Sequence, residues 1–130
     1  MRYLTNGFSI SMFRDPNMKP VLYSLSEEEF IKLINHGDFK SVIGHEDLSK
    51  LLTKLTGKKI QYNRRGIMLN YEDEMIVVYL TGRLPEHPTF VQYKGRLNFS
   101  YIRFEKQSQA DMIESLARIE QITEIKEEAI

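Results

Sequence analysis

Met75-Ile76-Val77-Val78-Tyr79-Leu80 is apolar at every position, the signature of a strand covered on both faces. It is therefore expected to be the central strand of a sheet. Directly after it, Thr81-Gly82-Arg83-Leu84-Pro85-Glu86-His87-Pro88 is a loop bounded by glycine and proline. That loop sets an arginine and a carboxylate at the carboxyl end of the central strand, where open α/β sheets bind ligands. Arg83 and Glu86 fit such a site, and they fit a plain surface ion pair equally well. Upstream, Ile67 to Tyr71 is expected to pair with Met75 to Leu80 across a hairpin turn at Glu72-Asp73-Glu74. Downstream, Leu97 to Phe104 reads as the last strand.

A second organising stretch is Ser41-Val42-Ile43-Gly44-His45-Glu46-Asp47, an apolar strand-like pair running through one glycine into a helix. Leu48, Leu51, Leu52 and Leu55 follow at three- and four-residue spacing, and Gly57 stops the pattern. His45 thus sits at a helix amino terminus, beside unpaired backbone N–H groups that attract anions and phosphate above all. A titratable imidazole next to a phosphate-sized site suits proton transfer. The same placement also suits a histidine that only caps the helix.

The remaining elements are expected as follows. Tyr3-Leu4 opens a short strand ending in the turn Asn6-Gly7. Phe8, Ile10 and Met12 alternate with Ser9 and Ser11, as a second strand or an extended loop. Arg14 to Pro20 is a polar connection, and Val21 to Leu25 a strand. Ser26 with Glu29 is a capping box opening a helix with Phe30, Leu33 and Ile34 inward and Gly37 at its end. Glu27-Glu28-Glu29 belongs in that helix's first turn, where negative charge is favoured. Lys58 to Tyr62 is a short strand leading to Asn63-Arg64-Arg65-Gly66. From Ser108 a helix carries Met112, Ile113, Leu116 and Ile119 on one side; Ile122 and Ile125 wind away from that stripe, and the last eight residues fray.

With 130 residues, 18 basic and 18 acidic side chains and no cysteine, the chain is long enough for one core without a disulfide or metal. The fold class is α/β (α+β), a central mixed sheet flanked by helices in a single compact domain. Zero net charge argues against coating long DNA or RNA. No apolar run reaches the length of a membrane span, and no signal peptide opens the chain. A cytoplasmic protein is expected. The three histidines are scattered, so no three-ligand metal site and no cofactor is expected.

Read together, Leu4-Thr5-Asn6-Gly7-Phe8-Ser9-Ile10-Ser11-Met12, Val42-Ile43-Gly44-His45, Asn63-Arg64 and Arg83-Leu84-Pro85-Glu86 resemble the viral ring nuclease family, the small anti-CRISPR proteins of viruses and mobile elements. The order and spacing fit across roughly residues 2 to 105. The resemblance implies a ring nuclease-like domain over 1–105, with 106–130 a C-terminal helical extension. It implies a homodimer that binds cyclic tetra-adenylate and cuts it, without metal, into linear di-adenylates ending in a 2′,3′-cyclic phosphate, which suppresses type III CRISPR signalling.

The resemblance makes His45 the general acid and Glu86 its support, and it maps the family's two arginines onto Arg64 and Arg83. It makes Asn6, Ser9 and Ser11 ligand contacts, with Gly44 and Asn63 in the same motifs. Ser9 would orient the attacking hydroxyl, while Arg64 and Arg83 would stabilise charge on the phosphorus. Three features depart from the family. Ser11 stands where members often carry asparagine, Thr89 to Gly95 is a poor helix where the family usually has one, and the residues beyond about Glu105 have no counterpart. His36 and His87 read as structural or solvated. Two other classes fit the same chain: a module that sequesters a cyclic nucleotide without cutting it, and a protein that grips another protein or DNA.

Overall fold

Two strands on one side of the central strand and two on the other make a single mixed sheet in this computed structural model. The structure describes the backbone of residues 1–128 and the side chains of those residues apart from residue 109 and residues 122–128. In chain order the strands are β1 (Arg2–Thr5), β2 (Met18–Leu25), β3 (Lys40–Ser41), β4 (Glu74–Leu80) and β5 (Leu97–Lys106). The helices are α1 (Glu27–His36), α2 (Glu46–Thr56), α3 (Phe90–Lys94) and α4 (Gln109–Glu128).

The strand order is β2-β5-β4-β1-β3. β1 runs parallel to β4, with Leu4 opposite Ile76, and parallel to β3. β5 is antiparallel to both of its neighbours, placing Tyr101 opposite Ile76 and Tyr23. The central place expected for Met75–Leu80 is where β4 lies, and Met75, Ile76, Val77 and Val78 are buried.

Period-2 geometry sends alternate residues of β4 into two cores. Ile76 and Val78 join Leu4 and Phe99 beneath α1 and α2, which contribute Phe30, Ile34, Leu48, Leu51 and Leu52. Phe30 stacks on Phe99 with centroids 4.2 Å apart and an interplanar angle of 18°. On the opposite face Met75, Val77, Ile102 and Phe104 pack with Met18 and Leu69. The capping box forms as the sequence reads: Ser26 Oγ accepts from Glu29 N–H, and Glu29 Oε1 accepts from Ser26 N–H. Gly57 closes α2 at φ 73°, a left-handed conformation that glycine adopts without Cβ strain.

Four expected elements differ. The hairpin of residues 67–71 with β4 does not form, because β1 and β5 already occupy both edges of β4. The alternation of Ile67, Leu69 and Tyr71 instead covers the second face of the sheet, with Leu69 bonded across to Met12 and Arg14. The turn residue Asp73 is buried and meets the amino-terminal NH₃⁺ at 3.3 Å. Residues 58–62 contribute only a bridge of Tyr62 to Ile43; the backbone N–H groups of Lys58 and Ile60 are taken by the hydroxyls of Thr56 and Thr53 instead of a neighbouring strand. Residues 8–12 are neither strand nor extended loop: Ser9 caps a 3₁₀ turn over Ile10–Met12. Residues 90–94 do form the short helix α3, since Thr89 and Gln92 make a capping box that offsets poor propensity. In addition, β2 begins at Met18, earlier than the expected Val21. The expected fraying falls partly on Ala129 and Ile130, which lie outside the described residues, as do the side chains of Ile122 and Ile125.

Glu74 opens β4 and ties it to β1 through a 2.8 Å ion pair with Arg2. Burial pushes its carboxyl up, but hydrogen bonds from Arg2 and Tyr101 and the charges of Arg2 and the amino terminus together hold it below its ordinary value. A depressed folded-state pKa stabilises above the unfolded value and is lost as pH falls through the folded one. The thermal stability advantage of the wild type over Glu74→Gln should therefore be full near neutrality. It should be lost as pH falls below the ordinary glutamate value of about 4.3. An advantage that grows on acidification would contradict this assignment.

Candidate functional site

Three chain segments meet at the carboxyl end of β1. Thr5 leads into a tight turn in which its hydroxyl donates to the Gly7 carbonyl and accepts from the Gly7 N–H, at 3.0 and 3.2 Å. The turn projects Asn6, whose Oδ1 accepts from Gly44 N–H at 2.9 Å. That bond joins the first segment to the second, Val42 to His45, which already lies against β1 through the bond from Val42 N–H to the Leu4 carbonyl. The third segment is held by Asn63. Its backbone N–H donates to Ile43 and its side chain to the Ser41 carbonyl at 3.1 Å. Arg64 and Arg65 follow directly.

The result is an open recess of about 540 Å³ lined by Thr5, Asn6, Gly7, Met12, Val42, Gly44, His45, Arg64, Arg65 and Gly66. Two guanidiniums and one imidazole face into it, and no carboxylate lines it. Such a lining attracts anions, and planar guanidiniums match phosphate oxygens in pairs. Gly44 is closely approached by Arg64: a Cβ there would lie 3.3 Å from Arg64 Cγ. A side chain at 44 would therefore make the Arg64 side chain give way slightly.

His45 is the N-cap of α2 rather than its first helical residue, and its Nδ1 accepts from Leu48 N–H at 3.4 Å. The capping role is thus present. It employs one ring nitrogen by a long bond and leaves Nε2 for a ligand.

Of the residues singled out from the sequence, the structure brings Asn6, Gly44, His45 and Arg64 together around this recess. Asn63 stitches its wall and faces the neighbouring groove. Ser9 and Ser11 bond each other at 3.0 Å on the exposed 3₁₀ turn leading to Met12, outside the lining. Arg83 and Glu86 also stand outside it, on the loop that leaves β4 at the same end of the sheet. Glu86 is 93% exposed and stands 4.0 Å from His87. His87 holds a positive φ of 52°, so the loop is kinked next to the carboxylate. Arg65 was not singled out from the sequence. Its signal was its place in the doublet before Gly66, but adjacency alone does not say which of two neighbours faces inward. Among the described residues no group of three or more His, Asp or Glu side chains stands together as a metal site. No described helix is long and apolar enough to cross a membrane.

Residues 2–95 match the model of a protein family described as STIV B116-like. Uncharacterized protein 26 of Sulfolobus islandicus filamentous virus is 31% identical over 88 residues, spanning 66% of this chain and 73% of the relative. Uncharacterized protein ORF116 of Acidianus filamentous virus 1 is 26% identical over 84 residues, or 65% and 72% of the two chains. The solved structure of B116 of Sulfolobus turreted icosahedral virus superposes with a TM-score of 0.67 at 28% identity, covering 78% of this chain and 97% of that one.

Proposed function

The chain belongs to the STIV B116-like family of viral proteins, and from that premise we propose that it is a metal-independent ring nuclease acting on cyclic tetra-adenylate to suppress type III CRISPR signalling. The observation that supports this reading most is the recess that gathers His45, Arg64 and Arg65 with no opposing carboxylate. In the proposed step a ribose 2′-hydroxyl gives up its proton to solvent water as its oxygen bonds to the neighbouring phosphorus, and the bond from phosphorus to the 5′-oxygen breaks. The products are linear di-adenylates ending in a 2′,3′-cyclic phosphate.

The 5′-oxygen leaves as a poor alkoxide unless protonated, and His45 Nε2 supplies the proton. Because Nδ1 accepts from Leu48 N–H, the proton of the neutral ring sits on Nε2, the nitrogen the cap leaves free. General acid help of this kind is worth on the order of 10²–10⁴ in rate. Arg64 and Arg65 stabilise the added charge on the five-coordinate phosphorus. Arg83 and Glu86 enter from the β4 loop as it folds over bound ligand, and Ser9 orients the attacking hydroxyl.

A recess of about 540 Å³ holds part of a four-nucleotide ring. Two copies related by a two-fold axis would present the same residues twice to a ligand with equivalent faces, so the active form is proposed to be a homodimer. Incubation with a panel of cyclic oligoadenylates in EDTA, resolved by chromatography, tests the reading. Di-adenylate from the four-membered ring is the expected product. Tight binding with the ring intact would make the protein a sequestering module, and absence of both binding and cleavage would overturn the proposal.

A further inference from the structure

We infer that Asn6-Gly7, in the wall of the basic recess, is a latent deamidation site held closed by the Thr5 hydroxyl. Asn-Gly occurs once in the chain. A glycine after asparagine leaves the next backbone nitrogen free to attack the side-chain amide, because no Cβ shields it. Both residues are exposed, and nothing lies within 4 Å of the place a Gly7 Cβ would take. Water therefore reaches the pair.

The step needs only water. The Gly7 nitrogen loses its proton to solvent and bonds to Asn6 Cγ, while the bond from Cγ to Nδ2 breaks and Nδ2 leaves as ammonia after taking a proton from water. Water then opens the resulting five-membered imide at one of its two carbonyls. Opening at the side-chain carbonyl gives aspartate, and opening at the backbone carbonyl gives isoaspartate. Either product puts a carboxylate into a lining that has none, beside Arg64 and Arg65, where its charge opposes bound phosphate.

Thr5 sets the rate. The residue is only 4% exposed, and its Oγ1 accepts from Gly7 N–H at 3.2 Å while donating to the Gly7 carbonyl at 3.0 Å. The attacking nitrogen is thus engaged, and it has to leave that bond before it reaches Asn6 Cγ. Asn6 is also tied to the next segment, its Oδ1 accepting from Gly44 N–H at 2.9 Å. An aspartate can keep that bond, whereas the extra backbone carbon of isoaspartate shifts the turn. The inference stands on these bonds; only the effect on ligand rests on the proposed function.

The test uses full-length wild type, Thr5→Ser and Thr5→Val, each held below its melting transition in mildly alkaline buffer, with denatured wild type alongside. Mass spectrometry of the peptide containing residue 6 follows the exchange of NH₂ for OH. Folded wild type and Thr5→Ser are expected to convert more slowly than the denatured chain by about threefold to tenfold, the factor one hydrogen bond carries, and Thr5→Val to lose that protection. Folded wild type converting as fast as the denatured chain would overturn the inference, whether or not Thr5→Val folds. So would a Thr5→Val chain that converts no faster than Thr5→Ser. Converted wild type, separated by anion exchange, should bind cyclic tetra-adenylate about tenfold less tightly than the fresh chain, and equal binding would overturn that effect. Binding by neither form would count against the proposed function alone, since the mass at residue 6 is read without ligand.

Discussion

His45→Asn is expected to fold as the wild type does, to keep its affinity for cyclic tetra-adenylate, and to lose turnover by on the order of 10²–10⁴. The choice of asparagine separates the two roles the structure gives this residue. Asparagine is among the best N-cap residues and can accept from Leu48 N–H as Nδ1 does, but it cannot deliver a proton to the leaving oxygen. His45→Ala removes the cap as well, adding a stability loss of about 1 kcal/mol. A general acid acts mainly in the transition state, whereas under the proposal Arg64 would contact phosphate in the ground state too, so Arg64→Ala should weaken binding and turnover together. Single-turnover cleavage and direct binding on the three variants separate these effects. Near-normal cleavage by His45→Asn would reduce His45 to a cap.

Phe30→Ala is expected to destabilise the fold by about 3–5 kcal/mol, the usual result of emptying a fully buried phenylalanine site. Phe30 is 0% exposed and stacks on Phe99, so it ties α1 to β5. Neither element contributes to the basic recess. The melting temperature should fall by roughly 10–20 °C for a chain of this size, with ring cleavage per folded molecule unchanged below the transition. A fall of only a degree or two would show that the site repacks around the missing ring.

What the sequence conveyed about this fold was local. The uninterrupted apolar run of β4, the 3-4 spacing of Leu48, Leu51 and Leu52, and the Ser26–Glu29 box each fix an element through contacts within a few residues. Strand pairing is not local. The alternation of Ile67, Leu69 and Tyr71 says only that one side is buried, not whether it extends a sheet or lies across its face, and β1 had already taken the edge of β4. The helix α3 was missed because propensity argued against it while its two caps, Thr89 and Gln92, argued for it. The site was legible where backbone bonds close it: Asn6 to Gly44 is one hydrogen bond between residues 38 apart. Arg83 and Glu86 share only an end of the sheet with His45 and lie outside the recess lining, and spacing along the chain could not show that.

The central claim is that this recess breaks a phosphodiester by internal attack without a metal. It is tested most directly by separating the products of cyclic tetra-adenylate by chromatography and weighing each, in excess EDTA under single-turnover conditions. Attack by the ring's own 2′-hydroxyl adds no water, so the first cut gives a linear tetra-adenylate of the ring's own mass that separates from it, and the second gives di-adenylates of half that mass. Recovery of the intact ring, or a first product heavier by one water, would contradict the account.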